Sequence, residues 1–242
     1  MSSPGPSYEI RATTIAEVRD LFARFHPYKG AGNCAVYAFA VIEDEKPVVA
    51  YLWQPPPPGA AKSVFKELPA GVLALSRMVA TPRDERRLQH ISKPLRWQMK
   101  NLIDRVRWPV CITYSDESVG HQPPCFGPDL SKPEQTDCEC KGPFHTGHVY
   151  KCSGWQKTKR RKAPTYTTSD GRRISSYSDG GHMKHLPEGV VKGSAWIQRW
   201  EQWADGERES LVSAFNSAWE RVPVLGKKWK SGLQAYTYER KL

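Results

Sequence analysis

Asp116 follows an apolar run, Trp108 to Tyr114 (WPVCITY), and a carboxylate at the carboxyl end of a strand can hold an amino group or accept its proton. Arg77 stands alone inside Gly71 to Ala80 (GVLALSRMVA), where a guanidinium is costly to bury without a partner. A phosphate, a donor carboxyl terminus or Asp116 would each serve. His26 and Tyr28 precede the first central apolar run and could close a pocket, the imidazole acting as base or as orienter. Ser76 and Ser92 could hydrogen-bond a donor or a base, with core and cap roles equally open. Each residue also has a structural reading: Asp116 as a loop cap, Arg77 as half of an internal pair, His26 as a core histidine.

A second group of side chains suits a metal. Residues 122–144 are rich in proline, cysteine and charge and match neither helix nor strand. Cys125, Cys138 and Cys140, flanked by His121 and His145, offer thiols and an imidazole for tetrahedral zinc. A segment with no core of its own would gain order from such a structural clip. The Cys-x-Cys pair departs from common zinc-finger spacing, so incidental cysteines and a catalytic metal such as iron stay open.

A third group is basic. Lys157, Lys159, Arg160, Arg161 and Lys162 form a dense patch, with Arg172 and Arg173 on the returning arm and Trp155 and Tyr166 beside them. Phosphate contact is the functional reading, with affinity falling steeply as salt rises. A solvated hairpin face is the plain alternative. The net charge of +11, from 36 Lys and Arg against 25 Asp and Glu, favours a polyanionic partner such as double-stranded DNA.

The elements that must position these groups follow from periodicity. Residues 16–22 carry apolar side chains at helical spacing behind Thr13 and Thr14, either able to cap. Residues 34–42 and 48–53 read as a hairpin turning at 43–46, residues 54–68 as a proline-rich loop, and residues 71–80 as a central strand. Two helical pieces split by Pro94 come next, Ser92 capping the second, whose apolar face runs from Leu95 to Val106. Strand 108–114, a short helix at 148–153 and a basic hairpin turning at Asp170-Gly171 complete this part. Trp196, Trp200 and Trp203 at i, i+4 and i+7, then Leu211, Phe215, Ala218, Trp219 and Val222, predict two C-terminal helices stopped by Pro223. The expected architecture is an α/β mixed sheet flanked by helices over residues 1–185, with a Trp-rich helical segment, 186–242, packed on it. No apolar run is long enough to span a membrane and no secretory leader is evident, which reads as a cytoplasmic protein.

Four segments, in order, resemble the Mom family of bacteriophage DNA-modification proteins. They are His26-Pro27-Tyr28, Leu75-Ser76-Arg77-Met78-Val79, Tyr114-Ser115-Asp116 with Gly120-His121, and Thr146-Gly147-His148-Val149-Tyr150-Lys151-Cys152 leading to Trp155. In the family the last two are continuous; here residues 122–144 divide them, so either His121 or His145 can stand for the family's histidine. The resemblance covers roughly residues 20–180. It implies a GNAT-like transferase, placed in the host cytoplasm if phage-encoded, that converts adenine N6 in DNA to a carbamoylmethyl (glycinamide-type) adduct and so protects phage DNA from restriction. It also implies that Tyr150 matches the GNAT tyrosine that protonates the leaving group. The stretch matching the GNAT coenzyme A loop, Thr81 to Arg87, contains Arg86 and Arg87 but no glycine. The acyl donor is therefore open between an acyl-CoA and a charged tRNA such as glycyl-tRNA. Two rival readings remain: a non-enzymatic basic zinc protein that binds nucleic acid, and a GNAT acyltransferase acting on a protein or a small amine.

Overall fold

The structure is a computed structural model describing residues 8–26, 35–116, 147–169, 173–174, 188–228 and 234–241. Its centre is one mixed sheet of eight strands in the order β1-β2-β3-β4-β5-β8-β6-β7. The strands are β1 (Glu9–Ala12), β2 (Tyr37–Glu43), β3 (Lys46–Gln54), β4 (Val72–Ala80), β5 (Val110–Asp116), β6 (Gln156–Thr168), β7 (Arg173–Ile174) and β8 (Val190–Trp203). Every neighbouring pair is antiparallel except β4 and β5, which run parallel at the middle.

Helices cover both faces, so the inner strands are apolar on both sides. On one face lie α3 (Ser92–Asn101) and the short α4 (His148–Cys152); Leu95, Met99 and Tyr150 pack with Tyr51, Trp53, Leu73, Leu75, Cys111 and Trp200. On the other face lie α1 (Ile15–Phe25), α2 (Pro58–Val64) and α5 (Arg208–Ala218). Val18, Leu21 and Phe22 of α1 pack on Ala40, Ala50, Leu52 and Val79. Val64, Phe65, Leu211 and Phe215 pack on Val72, Ala74, Val110 and Ile112. Full burial of such side chains contributes about 1.5–3 kcal/mol each. Thr14 and Glu17 open α1 with reciprocal hydrogen bonds of 3.3 and 2.8 Å.

The mixed sheet flanked by helices is as expected, with corrections at five places. Residues 54–68 are not all loop, because Pro58 sits at the first helical position, where its missing N–H costs nothing, and starts α2. Pro94 does not split a helix, since it lies in the first turn of α3; Ile91 is the cap residue and Ser92 makes no side-chain cap. α3 stops at Asn101, which leaves Val106 exposed and off its apolar face. The tryptophan row is strand β8, inserted between β5 and β6, and the sheet therefore runs past residue 185. Only the second predicted C-terminal helix exists, as α5, and it ends before Trp219. From there β9 (Trp219–Lys228) passes through Pro223 and pairs with β10 (Gln234–Arg240) as a separate ribbon. The Asp170-Gly171 turn and the insertion 122–144 lie outside the described residues.

The ribbon is tied to the body through an arginine. The Arg107 guanidinium lies 4.0 Å from the Trp108 ring, 4.7 Å from Tyr238, 5.2 Å from Phe215 and 5.4 Å from Trp219, and donates to Ala70 O at 2.6 Å. Aromatic faces attract a cation most when water is excluded. This single side chain therefore joins β5's entry loop, α5, β9 and β10.

Candidate active site

The sheet opens between its two parallel strands. β4 extends to Ala80 and β5 to Asp116, yet they pair only over Val72–Ala74 with Val110–Ile112. One residue further, a side chain replaces the ladder: Thr113 Oγ1 donates to Leu75 O at 3.0 Å. Ser76 explains the parting. It is an extra residue in β4, because Leu75 pairs with Trp53 and Arg77 with Leu52, and such a bulge bends its strand. β5 meanwhile stays paired with β8 to its last residue, Asp116 opposite Ile197. Ligands in sheets of this kind sit beyond the carboxyl ends of parallel strands, where this opening lies.

Strand alternation assigns the candidate residues to opposite sides of the opening. On the α3/α4 side is Tyr150, 5% exposed, with Trp155 at 5.9 Å and Trp200 at 6.0 Å between ring centroids. Burial raises the Tyr150 phenol above its ordinary pKa, while a hydrogen bond with the Thr113 side chain opposes the shift. The phenol therefore keeps its proton at neutral pH and lies against the residue that spans the opening. Trp200 is fixed in turn by its Nε1–H, which donates to Ser115 Oγ at 3.0 Å. Gly147 precedes α4 with φ of +73°, and a Cβ there would lie 2.3 Å from the Trp200 ring. Only glycine fits at that position.

On the other side are Arg77, His26, Tyr114 and Asp116. The bulge turns Arg77 toward α1, where its Nη1 lies 3.4 Å from His26 Nδ1. A guanidinium can only donate, so the imidazole accepts through Nδ1. Burial, and then the Arg77 charge, lower His26 from 6.5 to about 4. His26 is thus a neutral orienter of Arg77 and too weak a base to collect a proton near neutral pH. Asp116 is half-buried and shares its face with Ile197, next to Tyr114, which shares its face with Arg199. Tyr28 lies outside the described residues.

Next to Tyr114 is a groove of about 270 Å³ lined by Ser63, Lys159, Arg161, Ile197 and Arg199. Arg199 is held in place: its Nε lies 2.8 Å from Glu201 Oε1, and its Nη1 donates to Ser63 Oγ of α2 at 3.0 Å. Glu201 also accepts from Thr158 at 2.7 Å and from Trp203 Nε1 at 3.0 Å. The exposed cations of the groove are Lys159 and Arg161. Arg160 belongs to the opposite face, over the Trp196 ring at 4.2 Å, and alternation sends Lys162 the same way. The basic run is therefore two patches on two faces, with Lys157 ahead of the irregularity at Thr158. Arg172 lies outside the described residues, and Arg173 pairs through its backbone with Thr167.

The expected cofactor contacts are mostly taken up within the chain. Ser76 Oγ donates to Leu52 O at 3.0 Å. The buried Glu43 carboxylate accepts the backbone N–H groups of Arg87 and Leu88, each at 2.7 Å, so these two donors are already satisfied within the chain. Arg87 pairs with Asp44 at 2.7 Å. Arg86 donates to Thr81 O at 3.0 Å and also to Leu88 O. Ser92 does border a larger cavity of about 870 Å³ along α3, with Lys93, Arg96, Trp97, Lys100 and Tyr8. Sequence reasoning missed this cavity; the signal was Lys93, Arg96 and Lys100 at i, i+3 and i+7, one charged helix face. Among the described residues no three His, Cys, Asp or Glu side chains gather to hold a metal. Cys125, Cys138, Cys140, His121 and His145 all lie outside them.

No family model matches the chain, and no curated protein matches it either. Among solved structures, a Drosophila melanogaster polyamine N-acetyltransferase is 8% identical, covers 81% of this chain and 100% of its own, and superposes with a TM-score of 0.43. The ribosomal-protein-S18-alanine N-acetyltransferase from Escherichia coli is 12% identical, covers 83% of this chain and 97% of its own, and gives 0.42. No helix among the described residues is long and apolar enough to cross a membrane.

Proposed function

We propose that the chain is a GNAT-like transferase that modifies adenine N6 in double-stranded DNA, with donor and acceptor meeting at the opening between β4 and β5. The observation that carries this reading is the division of roles across that opening. A protonated, buried Tyr150 lies on one side, and a carboxylate, Asp116, lies on the other beside a cationic groove.

The chemistry needs both sides. Adenine N6 is a poor nucleophile because its lone pair is delocalised into the ring. As N6 attacks the donor carbonyl carbon, a new C–N bond forms and the bond to the leaving group breaks. The N6 proton passes to Asp116, and the leaving group takes a proton from Tyr150. Arg77, oriented by His26, holds a phosphate or the donor. This step yields an N6-acyl adduct, glycyl with a glycyl donor; the carbamoylmethyl group is its isomer and needs a bond from N6 to the methylene carbon instead, so fragmentation rather than mass separates the two. The donor is an acyl-CoA or an aminoacyl-tRNA such as glycyl-tRNA. The cationic face of α3 suits the phosphates of either, and the satisfied Arg87 and Leu88 amides support a donor held by side chains instead. Structural zinc on Cys125, Cys138 and Cys140 with His121 or His145 remains part of this proposal, as do a phage origin and a role in escaping restriction.

The reading is tested by mass spectrometry of nucleosides from plasmid DNA of cells making the protein. A modified deoxyadenosine is expected with wild type and not with Asp116→Ala. A second reading, a GNAT acting on a protein or small amine, is favoured by the same α3 cavity; it predicts saturable acyl-CoA binding with unmodified DNA.

A further inference from the structure

The β9–β10 ribbon carries a feature that group transfer does not use. Its register breaks between Pro223, opposite Tyr236, and Lys228, opposite Gln234. Val224, Leu225, Gly226 and Lys227 therefore loop out against the single residue Ala235. Gln234 pins the base of this loop, its side-chain amide donating to Val224 O and, at 3.1 Å, to Lys227 O. Gly226 makes the turn with φ of +68°. The product is a short finger whose Leu225 is 99% exposed.

One exposed leucine needs no explanation by itself. This one sits on a tied loop, and its surroundings are cationic. Lys227, Lys228 and Arg240 are exposed on the ribbon, with Arg221 stacked 3.7 Å over the Tyr236 ring, against Glu220 and Glu239. The ribbon packs on the α2/α5 side of the sheet, the side that also carries the cationic groove, with Trp219 and Tyr238 on that cluster and Arg107 tying its root to the entry of β5.

We propose that this finger is a wedge for duplex DNA: the ribbon's cations hold phosphates while Leu225 enters the base stack and fills the place of a base that has swung out. The inference rests on the DNA reading above and adds the step that reading lacks. An adenine whose N6 is paired must leave the stack before it can react. Apolar side chains on protruding elements partly unstack base steps and so lower that barrier. Gln234 and Gly226 preform the finger, so little ordering entropy is spent when it inserts.

The test uses the full chain and a duplex containing 2-aminopurine, whose emission rises when it unstacks; no donor is required. Wild type is expected to raise the emission on binding at low salt. Leu225→Ala should bind within about threefold of wild type yet give a rise at least about fivefold smaller, whereas Leu225→Phe should retain it. Equal emission from wild type and Leu225→Ala, or bound wild type without any rise, would overturn the wedge. Wild type that fails to bind duplex overturns both the wedge and the DNA reading. A rise that depends on Leu225, in a protein that leaves cellular DNA unmodified, supports the wedge and sinks only the transferase.

Discussion

His26 shows how burial decides what a side chain can do. Its pKa is lowered to about 4, mainly by desolvation and then by Arg77, so between about pH 6.5 and pH 4 the native chain binds fewer protons than the unfolded one. Stability contributed by the neutral imidazole is thus complete above pH 6.5 and is lost as pH falls toward 4, by up to about 3 kcal/mol. Urea denaturation at pH 7, 5.5 and 4 should show this decline in wild type and a shallower one in His26→Asn; parallel declines would mean that other groups set the pH response. At this scale the strand positions of two candidate residues were legible in the sequence. Arg77 alone in an apolar strand and Asp116 at a strand end were both visible. The side of the sheet each occupies was not, since one unpaired residue, Ser76, shifts the phase of every side chain after it in β4.

Elements were legible where a single period fits. α1 satisfies a helical repeat and a capping pattern, and β2–β3 fit a tight hairpin, with Asp44 and Glu45 both at positive φ. β8 was not legible, because Trp196 and Trp200 obey a period of two as well as one of 3.6. In the strand Trp200 faces α4 and Trp203 faces Phe65, at 5.2 Å between ring centroids, so both sides are apolar and no alternation appears. The loop anchored by Glu43 was equally hidden, since its hydrogen bonds join residues 44 and 45 positions apart. The join between α4 and β8 gives a prediction of its own. Gly147→Ala combines a left-handed backbone with a clash against Trp200, and should destabilise the protein by roughly 2–4 kcal/mol. Calorimetry would show this as a lower Tm, whereas an unchanged Tm would mean that α4 does not depend on the tight approach.

In the molecule as a whole, the opening between β4 and β5 connects the α3/α4 side of the sheet with the side covered by α1, α2 and α5. Charge follows the same division, so the proposed DNA contact can be tested one face at a time. Replacing both Lys159 and Arg161 by Ala should weaken duplex binding across sequences and reduce the slope of log affinity against log salt by about two. Replacing Arg160 and Lys162, which point to the other face, should change the slope by less than half as much. Equal effects from the two pairs would show that both faces touch DNA. Proton transfer from Tyr150 to the leaving group is tested most directly by the yield of modified deoxyadenosine in plasmid DNA, measured by nucleoside mass spectrometry for wild type and Tyr150→Phe at matched protein levels. The expected result is an adduct with wild type and about a 10²-fold lower yield with Tyr150→Phe, which keeps the ring packing but loses the proton. Unmodified DNA with folded wild type, or an equal yield from the two proteins, would contradict it.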